Sequence, residues 1–105
     1  MNNNYLSYRF VQEGADLTVF CCGKLNMITT AELSDAVMPK LSGITKLVFD
    51  FEELDYISSA GLRLLVELYK TMKTQNGEFV LRHTNEEIMN VFILSGIKRY
   101  FVFEE

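Results

Sequence analysis

Residues 48–70, VFDFEELDYISSAGLRLLVELYK, decide the fold. An apolar run gives way to charged residues, two serines and a glycine follow, and apolar residues then recur at helical intervals. The run from Ile44 to Phe51 is nearly continuous in apolar residues, which suits a central strand covered on both faces. The second half predicts a helix from about Ala60 to Thr74. Gly61, Leu65, Leu68 and Met72 form its inner stripe, and Arg63, Glu67, Lys70 and Thr74 lie on the opposite, solvated side. A strand that runs straight into a helix sets the hydroxyl of Ser58 or Ser59 at a helix N-terminus. Unpaired N–H groups and the positive end of the helix dipole make that position receptive to phosphate, so a serine there can act as a charge switch. Capping the helix is the ordinary role of a serine at such a place.

Outward from this segment, Tyr5 to Gln12 and Asp16 to Cys22 are rich in β-formers, with Glu13-Gly14 between them as a turn, and predict an N-terminal hairpin. Thr29-Thr30-Ala31-Glu32 has the spacing of a capping box, after which Leu33, Ala36, Val37 and Leu41 recur at helical intervals. Pro39 stops the regular part of that helix at about Met38. Gly77 ends the helix of the deciding segment and starts a strand over Glu78 to Arg82. Thr84-Asn85-Glu86-Glu87 reads as a second capping box, followed by Ile88, Val91 and Phe92, with Gly96 as a stop. Tyr100 to Phe103 is the last strand. The order ββαβαβαβ implies an α/β fold with a mainly parallel sheet.

At 105 residues the chain has room for one core and reads as a single domain over 1–105. With 49% hydrophobic residues and one proline, disorder is not expected. A net charge of −4 supplies none of the basic footprint that nucleic acid demands. No apolar run is long enough to cross a membrane, and MNNNYLSYRF lacks a basic n-region and an apolar h-region, so the expected place is the cytoplasm. Cys21 and Cys22 are adjacent in a strand, point to opposite faces and are read as reduced structural thiols. The only histidine, His83, is remote from them in sequence, so no metal site and no cofactor are expected.

The chain resembles the STAS domain family (sulfate transporter and anti-sigma factor antagonist) in three places. In the deciding segment Asp50, Tyr56, Ile57, Ser59, Gly61 and Leu62 match the family pattern of a strand ending in Asp, an aromatic or aliphatic pair, and a Ser two residues before Gly-Leu. CGKLNMITTAEL, Cys22 to Leu33, is similar to the family's Gly-x-Leu-Asp segment, with Asn26 where a carboxylate is usual. LSGIKRYFVF, Leu94 to Phe103, resembles its closing helix-Gly-strand. The resemblance implies a small curved mixed sheet with its helices largely on one side. It also implies a non-enzymatic anti-sigma factor antagonist that binds an anti-sigma factor with serine kinase activity, is phosphorylated by it on Ser59, and is reset by a serine phosphatase. The implied partner-binding residues are Asn26, Tyr56, Ser58, Ser59, Ala60, Gly61, Leu62 and Arg63. Asp50, Glu52, Glu53 and Asp55 precede the serine and are read as an acidic rim, and Gly61 as a point of close approach for the partner. Many relatives have Asp where this chain has Ser58.

Other readings are weaker. Only half of a hydrolase nucleophile elbow is present, because Ile57 stands where its first glycine belongs; His83 with Asp50 or Asp55 would have to complete the triad. No Walker or dinucleotide-type glycine loop occurs. The stronger rival is a STAS interaction module of a transport or stress-signalling complex, without a phosphorylation cycle. Leu25, Ile28 and Tyr56 fall in expected loops near the serines, and core packing is their expected role.

Overall fold

The computed structural model describes residues 5–105. The reading of the N-terminus rests in part on residues 1–4, which lie outside the described residues. The elements are β1 (Leu6–Glu13), β2 (Asp16–Leu25), α1 (Met27–Val37), β3 (Lys46–Ile57), α2 (Ser59–Thr74), β4 (Glu78–Arg82), α3 (Glu86–Ser95) and β5 (Val102–Glu104), with short 3₁₀ turns at Met38–Lys40 and Lys98–Tyr100. They form one mixed sheet in the order β1-β2-β3-β4-β5. Only β1 and β2 are antiparallel, closed by a turn at Gly14 with φ of 63°; β2 to β5 run parallel. The expected order and mixed α/β class hold.

Topology dictates where the helices go. Each step from β2 to β5 adds a parallel strand on the same side, and right-handed crossovers then send every helix to the same face. The core follows that geometry. Alternate residues Leu17, Val19 and Cys21 of β2, Leu47, Phe49 and Phe51 of β3, and Phe79 and Leu81 of β4 pack with Leu33, Val37, Leu65, Leu68, Met72, Ile88 and Phe92 of the helices. The inner stripe expected for α2 is buried and is joined by Leu64.

The expectation of a β3 covered on both faces holds over Leu47, Val48, Phe49, Asp50 and Phe51, which are all buried. Val48 and Val80 are buried on the other face but lie outside the helix-side core. The helices pack on the opposite face. Lys46 of β3 reaches Glu104 of β5 at 3.2 Å, crossing β4 on that face, and Arg82 meets Glu104 at 3.3 Å.

Element boundaries differ where asparagine competes with threonine. α1 is capped by Asn26, not Thr29: Asn26 accepts from the N–H groups of Ile28 and Thr29, and Thr29 Oγ1 accepts from Asn26 N. α3 is capped by Asn85, not Thr84. In both cases a nearby asparagine takes the cap, three residues before Thr29 and one residue after Thr84, consistent with the higher rank of Asn over Thr there. Gly96 closes α3 in the left-handed region, with φ of 80°. β2 runs on to Leu25 and β3 to Ile57, so the expected loop over 52–57 is strand, paired with β2 through register shifts near Cys22 and Lys24. β5 begins only at Val102, because residues 98–100 form a 3₁₀ turn.

Candidate functional site

The extension of β2 and β3 builds the serine joint. Their last paired residues are Leu25 and Ile57, and Ser58 N–H donates to Leu25 O at 2.8 Å. Each strand passes at once into a helix, so the caps Asn26 and Ser58 stand side by side on strands about 4.8 Å apart. Two helix N-termini thus open onto one edge of the sheet, and their dipoles add a positive field at that edge. Asn26 Oδ1 is fully used inside the molecule, accepting from Ile28 N at 3.0 Å and Thr29 N at 2.9 Å.

The two serines have different jobs. Ser58 is the N-cap of α2, and its Oγ accepts from Gly61 N at 3.4 Å, a long bond. Ser59 is the first helical residue, is exposed, and its hydroxyl makes no hydrogen bond to another described residue. Ala60 and Leu62 are half-buried and Arg63 is exposed.

Gly61 requires a correction. It is buried, and a Cβ built there would lie 2.6 Å from Ile57 Cγ1 and 3.2 Å from Leu25 Cβ. Its missing side chain serves the seating of α2 on the ends of β2 and β3, not the approach of a partner. The roles expected of the flanking apolar residues also separate. Leu25 is buried in the core, whereas Met27, Ile28 and Tyr56 are exposed by 75%, 68% and 47%. Lys24 Nζ lies 5.9 Å from the centre of the Tyr56 ring. The joint therefore combines an exposed hydroxyl with an exposed apolar surface.

The acidic rim is corrected as well. Because β3 continues to Ile57, Asp50 lies on the order of 20 Å back along the strand from the joint. Asp50 is buried and faces elsewhere; of the expected rim only Asp55 stays near the serines. The same distance removes the hydrolase reading. Asp50 Oδ2 does meet His83 Nδ1 at 2.7 Å, but Ser59 is remote from that pair.

Sequence spacing gave no metal ligands, yet the fold gathers Asp50, Glu52 and His83 so that one ligand atom of each lies within 4.8 Å of the others. The donors come from neighbouring parallel strands, β3 and the end of β4, so no fixed spacing along the chain could signal them. Cys21 is buried and Cys22 partly so, and both are free thiols. Among the described residues no helix is long and apolar enough to cross a membrane.

Residues 9–105 match the model of the STAS domain family. BtrV of Bordetella bronchiseptica, provisionally named as an anti-sigma factor antagonist, is 39% identical over 59 residues, 56% of this chain and 51% of that protein, so the match spans about half of the relative's length. The anti-sigma-B factor antagonist of Bacillus subtilis is 24% identical over 87 residues, 83% of this chain and 80% of that protein. Among solved structures, the anti-sigma factor antagonist SpoIIAA in its unphosphorylated form superposes with a TM-score of 0.82 at 15% identity, covering 92% of this chain and 87% of that one. SpoIIAA in its phosphorylated form superposes at 0.74. At that identity the likeness is one of fold.

Proposed function

This chain belongs to the STAS domain family, and from that membership we propose that it acts as an anti-sigma factor antagonist whose docking face is the joint between β3 and α2. Ser59 is the phosphoacceptor. The observation that carries this reading is the division of labour between the serines: Ser58 is committed to the cap, while Ser59 presents an exposed hydroxyl with no hydrogen-bond partner among the described residues. Modifying Ser59 breaks no side-chain hydrogen bond among the described residues.

In the unmodified state the exposed Met27, Ile28 and Tyr56 offer apolar contact, with Ser58, Ala60, Leu62 and Arg63 around the hydroxyl. Asn26 and Gly61 support this face from within. An anti-sigma factor docked here is sequestered and its sigma factor is freed. Phosphorylation brings about −1.5 to −2 charge to Ser59. The paired helix N-termini tolerate that charge within the chain, but a docked apolar surface would have to strip it of water at a large cost. The switch is thus electrostatic at the interface and nearly neutral for the fold. The partner that releases is a serine kinase, and a serine phosphatase restores the binding form.

The test is intact-mass and fragment mass spectrometry on the protein isolated from its native cells, with co-purifying proteins identified in the same run. Phosphate localised to Ser59, with a kinase-like partner bound to the unmodified form only, is the expected result. No phosphate under several growth conditions, with transport or scaffold proteins recovered instead, would establish a constitutive interaction module.

A further inference from the structure

We propose that Asp50, Glu52 and His83 form a binding site for a first-row divalent cation of the zinc class, at the carboxyl end of β4 and remote from the serine joint.

Three features prepare the site. Asp50 Oδ1 accepts from Glu52 N–H at 3.1 Å, which fixes the carboxylate and directs Oδ2 to His83 Nδ1 at 2.7 Å. His83 follows the last residue of β4 in the left-handed region, with φ of 56°, and its N–H donates to Glu104 O at 3.0 Å. Strand alternation would aim His83 away from the face that carries Arg82; the left-handed turn brings its ring to β3 instead. Glu52 Oε1 lies 4.0 Å from Nδ1 on a side chain that is 73% exposed and free to rotate.

Charge points the same way. The Asp50 side chain is only 8% exposed, and a buried carboxylate is costly without a cationic partner. Lys46 of β3 and Arg82 of β4 are both bound to Glu104, and Arg9 of β1, which lines a concavity with Asp50 and Glu52, stacks on the Phe20 ring at 4.3 Å. A divalent cation would neutralise Asp50 and Glu52 together.

The geometry needs little adjustment. Around a tetrahedral ion with bonds of about 2.1 Å the donors stand roughly 3.4 Å apart, between the 2.7 and 4.0 Å separations found here. Binding replaces the proton between Nδ1 and Oδ2 with the metal, and Nδ1 and two carboxylate oxygens become ligands; a neutral imidazole keeps its single proton by carrying it on Nε2, whereas an imidazolium gives its second proton to water. One imidazole and two carboxylates suit zinc better than magnesium, which prefers oxygen donors alone and keeps most of its waters. The site borders an open concavity of about 430 Å³ lined by Glu52, His83, Glu104 and Glu105 among others, so a fourth position faces solvent or a donor from another molecule.

His83 is the only histidine, so its imidazole resonances are unambiguous. The experiment titrates the full chain with zinc chloride, following the His83 ring nitrogens by NMR and the stoichiometry by calorimetry. We expect saturable binding of one ion per chain with a shift of Nδ1. Glu52→Gln and His83→Asn, the latter suited to the left-handed backbone, should each weaken binding about tenfold or more. Both positions are exposed, and circular dichroism verifies their folding. An unmoved Nδ1 resonance at saturating zinc would overturn the proposal. So would affinity that survives both substitutions and disappears in Cys22→Ser, which would assign the zinc to a thiol. The phosphorylation reading stands or falls separately, because Ser59 takes no part in this titration.

Discussion

Adjacent serines at one helix start are chemically alike, and only the backbone separates them. Ser58 keeps extended torsions and bonds Gly61 N, whereas Ser59 already lies in the helix. Ser58→Ala should therefore cost about 0.5–1 kcal/mol, the low end for a cap because the bond is long, and Ser59→Ala should stay within about 0.5 kcal/mol. Asn26→Ala should cost more, up to about 2 kcal/mol, since Asn26 satisfies two N–H groups and receives a bond back from Thr29. Urea unfolding of the three variants checks this order. Equal losses at Ser58 and Ser59 would mean that they share the cap. The sequence shows that a serine stands at this helix start, but the choice between neighbours turns on a one-residue shift in where the helix begins. Asn26 shows the complementary limit: its match to a carboxylate position suggests a partner-facing role, while its side chain is consumed by α1.

The seating of α2 turns on a single absent side chain. Gly61 lies in the first turn, where Ala would gain up to about 1 kcal/mol in helix propensity. Its Cβ would nevertheless meet Ile57 Cγ1 at 2.6 Å, on a β-branched side chain anchored at the end of a strand. Overpacking should win, so Gly61→Ala destabilises by roughly 1–3 kcal/mol. Ile57→Ala removes the atom in conflict. In that background Gly61→Ala should become neutral or favourable, with a coupling of about 0.5–3 kcal/mol in a double-mutant cycle. Additive losses would show that the clash is relieved by moving the helix instead. The stripe of α2 was legible because a period of 3.6 survives any environment. The role of Gly61 was not, since a glycine near a helix start reads equally as access for a partner or as room for a neighbouring strand. The helix starts at Asn26 and Asn85 were missed for a related reason: Thr-x-x-Glu is a good capping box in isolation, and tertiary placement chose a nearby asparagine instead.

For the molecule as a whole, the apolar run of β3 forecast burial correctly and its cause only in part. Such a run shows that both faces are dry; it does not distinguish a helix from an ion pair as the cover. The order of parallel strands puts all helices on one face, and the Lys46–Glu104–Arg82 bridge spans the other, on which Val48 and Val80 are buried. Cys21, on the helix side, reports how dry the core is. Burial first, with Asp50 and Cys22 adding, pushes its thiol from an ordinary 9.0 up to about 12. Below about pH 9 both folded and unfolded chains keep this proton, and the contribution to stability is fully present. As pH rises toward 12 the unfolded chain alone releases it, so stability falls, by an upper limit of about 4 kcal/mol at 1.36 kcal/mol per unit. Between about pH 8 and 10.5 the protein should lose about 2 kcal/mol more than Cys21→Ala, with the lysines and tyrosines common to both chains. Chemical denaturation of both across that range is the measurement. Parallel curves would mean that Cys21 ionises as readily folded as unfolded, and that water reaches β2 through the register shift beside it.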